Sequence, residues 1–200
     1  MKAPSAAAGR ERLLDTAGRL FAEQGYEAVS TKLLAQTAGL TIGALYHHFA
    51  SKLVLYQETL RHALSRLPVV PADLLAPSGQ PDTQLTELVA WFSALIAGDS
   101  PAAALLRREL LEPHLDRPLS DFELFVAPLQ RFRALMAELA PLADVELVEA
   151  AIISLTFGFA NMQGLRRLLP GLHTRLRSPQ EIARLVTSLV FTGLDSPVFG

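Results

Sequence analysis

Residues 30 to 52 read Ser30-Thr31-Lys32-Leu33-Leu34-Ala35-Gln36-Thr37-Ala38-Gly39-Leu40-Thr41-Ile42-Gly43-Ala44-Leu45-Tyr46-His47-His48-Phe49-Ala50-Ser51-Lys52. The pattern is a helix, a glycine turn and a second short helix with a polar outer face, which is how a helix-turn-helix DNA reader is written. Ala35 is small enough for two helices to cross closely. Gly39, four residues later, lets the chain turn with positive φ at low steric cost. Leu34, Ala38, Leu40, Leu45 and Phe49 supply the apolar contacts that fix the crossing. Thr41 is placed to cap the second helix, and Thr41, Ala44 and His47 fall on its outward side.

Upstream, Leu13, Ala17, Leu20 and Phe21 follow helical spacing. Gly25 ends that helix and lets Tyr26 fold back on Phe21. Ser51 caps a further helix that runs to about Leu67. The pieces Leu13-Leu14-x-x-Ala17-x-x-Leu20-Phe21-x-x-x-Gly25-Tyr26, then Leu34-Ala35-x-x-Ala38-Gly39-Leu40, then Gly43-x-Leu45-Tyr46-x-His48-Phe49-x-Ser51-Lys52 together resemble the TetR family of bacterial transcription regulators over roughly residues 9 to 60. One departure is Leu53, where that family usually carries an acidic residue.

The recognition helix offers unpaired N–H groups at its start to phosphates or base edges. Ile42 or Ala44 would meet thymine methyls, Gly43 allows close backbone approach, and Tyr46, His47 and Lys52 carry polar tips suited to phosphates. The resemblance adds Thr31 and Lys32 and implies that these positions line the major groove. The competing reading packs Tyr46 and His48 inside the small domain.

Charge supports the DNA reading. Residues 1 to 66 carry eight basic side chains against five acidic, a balance of +3; the remainder of the chain, with ten against fifteen, stands at −5. The positive end carries the helix-turn-helix, as phosphate binding requires.

Cysteine is absent, which excludes disulfides, thiolate metal sites and a cysteine nucleophile. No signal-peptide pattern opens the chain and no long apolar run spans a membrane, so the expected location is cytoplasmic, without membrane partners. The nucleophile elbow, the phosphate-binding glycine loop, H-E-x-x-H and metal-ligand spacings do not occur. The expectation is therefore no enzyme, no catalytic residue, no metal and no cofactor.

The rest of the chain reads as helices with starts at Asp82, Ser100-Pro101, the capping box Ser120-x-x-Glu123, Asp144 and the capping box Ser178-x-x-Glu181. Pro128 should kink the third of these. The helix from Asp144 is expected to end near Leu169. With strand signals absent, the predicted fold is all-α with about nine helices. Residues 1–8 form a flexible arm, 9–66 a helix-turn-helix domain of TetR type, and 67–200 a C-terminal domain for ligand sensing and dimerisation.

Half of all residues are hydrophobic, more than one ordinary core of this size demands. A dimer seam and an internal cavity would each use the surplus. Ala151, Ser154, Leu155 and Gly158, with Leu185 and Leu189, form the candidate seam. That pairing of helices resembles the four-helix dimer interface of the family. Candidate ligand contacts are Trp91, Phe92, Phe125, Phe132 and Phe157, with Glu109, His114 and Asn161 as polar groups among them. The functional expectation is a ligand-responsive regulator, a repressor that binds a near-palindromic operator as a homodimer and is released by a small apolar organic effector. The alternatives are a dimeric DNA-binding regulator that senses no small molecule or that activates, and a helical small-molecule-binding protein or enzyme that uses the helix-turn-helix only as packing.

Overall fold

The structure, a computed structural model, describes residues 6–111, 123–161 and 178–194. Among the described residues the chain is all-α, with ten helices and no strand. They are α1 (Ala6–Gln24), α2 (Thr31–Thr37), α3 (Ile42–His48), α4 (Lys52–Leu64), α5 (Ala72–Leu75), α6 (Pro81–Ala97), α7 (Pro101–Leu111), α8 (Glu123–Leu139), α9 (Val145–Asn161) and α10 (Pro179–Leu194). Helix α1 already includes Ala6 to Ala8, which the sequence reading assigned to a flexible arm. The short α5 was missed because Pro71 and the Pro/Gly-rich stretch after it read as a plain break. His114, the start of the Ser120–Glu123 box and the stretch expected to carry the Asp144 helix on to Leu169 lie outside the described residues.

Local signals set the helix ends. The Ser100 hydroxyl accepts from the Ala103 N–H at 3.1 Å, and the Asp144 carboxylate accepts from Leu147 at 3.1 Å. Ser178 and Glu181 exchange bonds reciprocally: Glu181 Oε2 accepts from the Ser178 N–H at 2.9 Å and Ser178 Oγ from the Glu181 N–H at 3.2 Å. Each satisfies a helix-end donor that would otherwise need water.

The chain divides into two compact units, but not by a single cut near Arg66. One unit takes residues 6–67 together with 99–111; the other takes 68–98, 123–161 and 178–194. Helix α7 therefore belongs with the N-terminal helices. Its apolar face, Ala103, Leu105 and Leu106, is buried in that unit, against α1 and α4. Arg108 donates from Nε to the Ala22 carbonyl at 3.4 Å, at the end of α1. The turn that follows needs glycine twice over. Gly25 has φ +84, and a Cβ there would stand 2.8 Å from the Arg108 guanidinium.

Glu109 is the clearest correction. It was expected among ligand contacts; it is 8% exposed in the first unit and accepts a hydrogen bond from the Tyr56 hydroxyl at 2.5 Å. Tyr56 packs edge-on to Phe21 and Tyr26, with centroids 5.1 and 5.0 Å away. Burial, and then the bond to Glu109, push the Tyr56 pKa far above the usual tyrosine range, so the hydroxyl stays a donor. Tyr56→Phe removes that donor from a buried carboxylate. We expect a loss of about 2 kcal/mol in urea unfolding; an unchanged midpoint would show that the bond contributes nothing net.

In the second unit α6 packs against α8, α9 and α10. Leu85, Leu88, Val89, Leu135, Met136, Ile152, Ile182 and Val186 lie at the centre of its core. Gln84, 3% exposed, ties down the proline-rich connection. Its amide donates to the carbonyls of Leu74 at 2.8 Å and Ala76 at 2.6 Å, and its oxygen accepts from Ser78 and Arg131. All four partners keep a buried amide satisfied that would otherwise destabilise the core.

Candidate nucleic-acid interface

The reader is assembled from short-range chemistry. Helix α2 starts at Ser30, whose hydroxyl accepts from Leu33 N–H at 3.1 Å. It ends in a Schellman arrangement: Leu40 N–H bonds to the Ala35 carbonyl at 2.8 Å, Gly39 N–H bonds to Gln36 at 3.0 Å, and Gly39 adopts φ +68. That turn aims α3 away from α2. Thr41 caps α3 by accepting from Ala44 N–H, and Ser51 caps α4 by accepting from Val54 N–H, both at 3.1 Å. Leu45 is fully buried and Phe49 is 2% exposed, so the inner side of α3 is anchored.

The outer side is correspondingly open. Thr41, Ile42, Gly43, Tyr46 and His47 are exposed and Ala44 is half-buried. Tyr46, at 49% exposure, points out of the domain, which disfavours the packed alternative for this residue. Its hydroxyl lies 3.4 Å from Thr31 Oγ1, joining the start of α2 to α3. Lys32 is exposed on the first turn of α2. The Lys52 ammonium sits 4.2 Å from the Tyr26 ring centroid, a cation–π contact that holds it at the start of α4. His48 is half-buried, its Nε2 at ordinary packing distance (3.4 Å) from the Cβ position of Gly9 on α1.

Several cations that contribute to the +3 balance are already engaged. Arg10 and Arg61 both bind Glu58, Arg10 at 3.0 Å, and the Arg61 hydrogen bond is the leading reason that the Glu58 carboxyl is held below its usual range. Arg66 and His62 bind Asp15 at 2.5 and 3.0 Å; burial raises that carboxyl, and the two hydrogen bonds outweigh burial and lower it. Arg10 also lies over the Phe49 ring at 5.3 Å. The Arg10–Glu58 and His62–Asp15 pairs brace α1 against α4, while Lys32, Lys52 and the polar tips of α3 stay clear of these ion pairs.

The second unit holds a half-open apolar cavity of about 50 Å³, with room for roughly four water-sized groups. Trp91, Phe92, Phe125 and Phe132 line it, as the sequence suggested, with Leu88, Val89, Pro128, Leu129, Glu149, Ile152 and Ile153. The Trp91 indole N–H is satisfied by the Pro68 carbonyl at 3.1 Å, so the ring presents its carbon face. Pro128 stands inside α8 with its ring buried in this wall. Two expected contacts do not take part. The α9 wall stops one turn short of Phe157, and Asn161 is exposed, its amide donating back to the Phe157 carbonyl at 2.9 Å. The aliphatic lining was missed because such residues on a helix read as ordinary core.

Ala151, Leu155, Gly158 and Leu185 are half-buried, and Ser154 and Leu189 are exposed. Those on α9 follow i, i+3, i+4 and i+7 spacing and the two leucines of α10 stand four apart, on helices that pack on each other. Leu147 on α9 and Leu189 on α10 expose 53% and 48% of their surface. No helix among the described residues is long and apolar enough to cross a membrane alone, and no cluster of His, Asp or Glu among them could hold a metal ion.

Residues 13–59 match the family profile of bacterial regulatory proteins, tetR family. That segment, spanning α1 to α4, carries the TetR-type N-terminal domain. Relatives of the chain include the HTH-type transcriptional repressor KstR2 of Rhodococcus jostii, 35% identical over 101 residues, half of each chain. They also include the repressor AcnR of Corynebacterium diphtheriae, 38% identical over 64 residues, covering 32% of this chain and 34% of that one. The chain thus spans half the length or less of these curated relatives. The TetR family regulator PfmR of Thermus thermophilus superposes with a TM-score of 0.64 at 26% identity, covering 94% of this chain and 97% of the other. FadR of Bacillus subtilis, crystallised with stearoyl-CoA, gives 0.64 at 17% identity over 92% and 98%, a likeness of fold alone.

Proposed function

We propose that this protein is a transcriptional repressor that binds a near-palindromic operator as a homodimer and is released by a small, largely apolar effector. The observation that carries the reading is the capped α3, with Thr41, Ile42, Gly43, Tyr46 and His47 exposed and Ala44 half-buried, flanked by Thr31, Lys32 and Lys52. Such a helix fits the major groove, its N-terminal residues on base edges and the flanking cations on phosphates. The naming of KstR2 and AcnR as repressors supports repression over activation, and a cytoplasmic location goes with it. Dimerisation through α9 and α10 supplies the two-fold axis, and the aromatic cavity supplies the effector site. If effector lowers operator affinity by some factor, operator must lower effector affinity by the same factor.

Phosphate contact by Lys52 is directly testable. Lys52→Ala should weaken binding to cognate and random duplexes alike and flatten the slope of log affinity against log salt by about 1. Fluorescence anisotropy across a salt series reads both. An unaltered slope removes Lys52 from the interface.

A further inference from the structure

Side-chain chemistry limits which base edges α3 can recognise. Thr41 and the seven residues of α3, Ile42-Gly43-Ala44-Leu45-Tyr46-His47-His48, include no Arg, Lys, Asn, Gln, Asp or Glu. The paired hydrogen bonds that select guanine (Arg, Lys) or adenine (Asn, Gln), and the carboxylate contact that selects cytosine, therefore have no side chain on this helix. Its hydroxyls already have neighbours within the protein. Thr41 Oγ1 accepts from the Ala44 N–H at 3.1 Å, and the Tyr46 hydroxyl lies 3.4 Å from Thr31 Oγ1. Of the two histidines, His47 is exposed and His48 is half-buried.

Ile42 is the large apolar group of this helix that stays in water. It is 43% exposed at the first position of α3, one turn before the 49% exposed Tyr46. Leu45 is fully buried, and Ala44 is half-buried and offers a single methyl. Branching at Cβ restricts Ile42 to few rotamers, so it loses little freedom on packing against a partner. In the major groove the base that offers an apolar group is thymine, through its C5 methyl.

We propose that Ile42 selects thymine by packing on its C5 methyl in each half-site, and that this contact, not a hydrogen-bonded purine, sets the preferred base there. The inference rests on the reading of α3 as the operator reader and adds the chemistry of the base it selects.

The test uses the full chain and the duplex that the wild-type protein enriches from a random DNA pool. Deoxyuridine, which pairs as thymidine does and lacks only the methyl, replaces thymidine at one symmetric pair of positions at a time. Burying a methyl is worth about fourfold in affinity, so one such pair of replacements should weaken binding about fifteenfold by fluorescence anisotropy. Ile42→Ala should bind the thymine duplex more weakly by a similar factor and bind the thymine and uracil forms within about twofold of each other, as two groups in contact require. Ile42→Val keeps a branched face and should retain most of the discrimination. Because Ile42 is exposed, both variants should melt with the wild type. Equal wild-type affinity for thymine and uracil at every position would overturn the methyl contact and leave the DNA reader standing. An Ile42→Ala variant that still prefers thymine as strongly as wild type would overturn the assignment to Ile42. A pool from which no duplex is enriched would overturn the operator reading and this inference with it.

Discussion

A Leu189→Arg variant should sediment as a monomer and lose its affinity for a two-fold operator. Leu189 is 48% exposed on α10, four residues from the half-buried Leu185, and α10 packs on α9, which carries Ala151, Ser154, Leu155 and Gly158. Small residues there let a second pair of helices approach closely, and the leucines would fill the seam. An arginine placed in such a seam has no partner on the apolar side facing it. The cost is roughly several kcal/mol for each copy, and two-fold symmetry places two copies in one interface. Because Leu189 is exposed within one chain, the monomer itself should keep its helical content by circular dichroism. Loss of two-fold DNA binding with an intact fold is the expected pair of results. A variant that stays dimeric at micromolar concentration would move the interface elsewhere.

The second large effect is expected at Phe49. Its ring is 2% exposed beneath the end of α3, with the Arg10 guanidinium lying over it. Phe49→Ala deletes a buried aromatic and leaves a cavity under the recognition helix, at a cost of about 3 to 5 kcal/mol. Against a total stability of about 5 to 15 kcal/mol that is a large fraction. Urea unfolding should show it directly, and operator binding should fall with it because α3 loses its seat. Phe49→Leu keeps most of the volume and should recover most of both. If Phe49→Ala shifts stability by less than about 1 kcal/mol, the ring is not the anchor of the reader.

How far the sequence could be read follows from the range of each interaction. The caps at Ser30, Thr41, Ser51, Ser100, Asp144 and Ser178 bond to groups three residues away, so the type and spacing of residues is enough to find them. The Gly25 and Gly39 turns are equally local, and with them the whole outward face of α3 was legible. Glu109 was not. Its partner Tyr56 lies 53 residues away, and nothing local distinguishes a carboxylate bonded to a tyrosine from one facing a ligand. The same distance hid the membership of α7 in the first unit. Aromatic cavity residues were found because large rings draw notice. Val89, Ile152 and Ile153 were not, since an aliphatic wall and an aliphatic core have the same sequence pattern. Helix α5 is held by the buried Gln84 amide, which donates to the Leu74 and Ala76 carbonyls, a tertiary cause invisible in a stretch dominated by proline.

The central claim is that α3 reads base sequence as one of a symmetric pair. Selection of bound duplexes from a random DNA pool by the wild-type protein at physiological salt, followed by sequencing, measures this most directly. The account predicts enrichment of an inverted repeat whose half-sites lie one helical turn or a multiple of it apart, with Thr41→Ala weakening the enrichment. A pool that stays random after repeated rounds, or a single unrepeated motif, would contradict it.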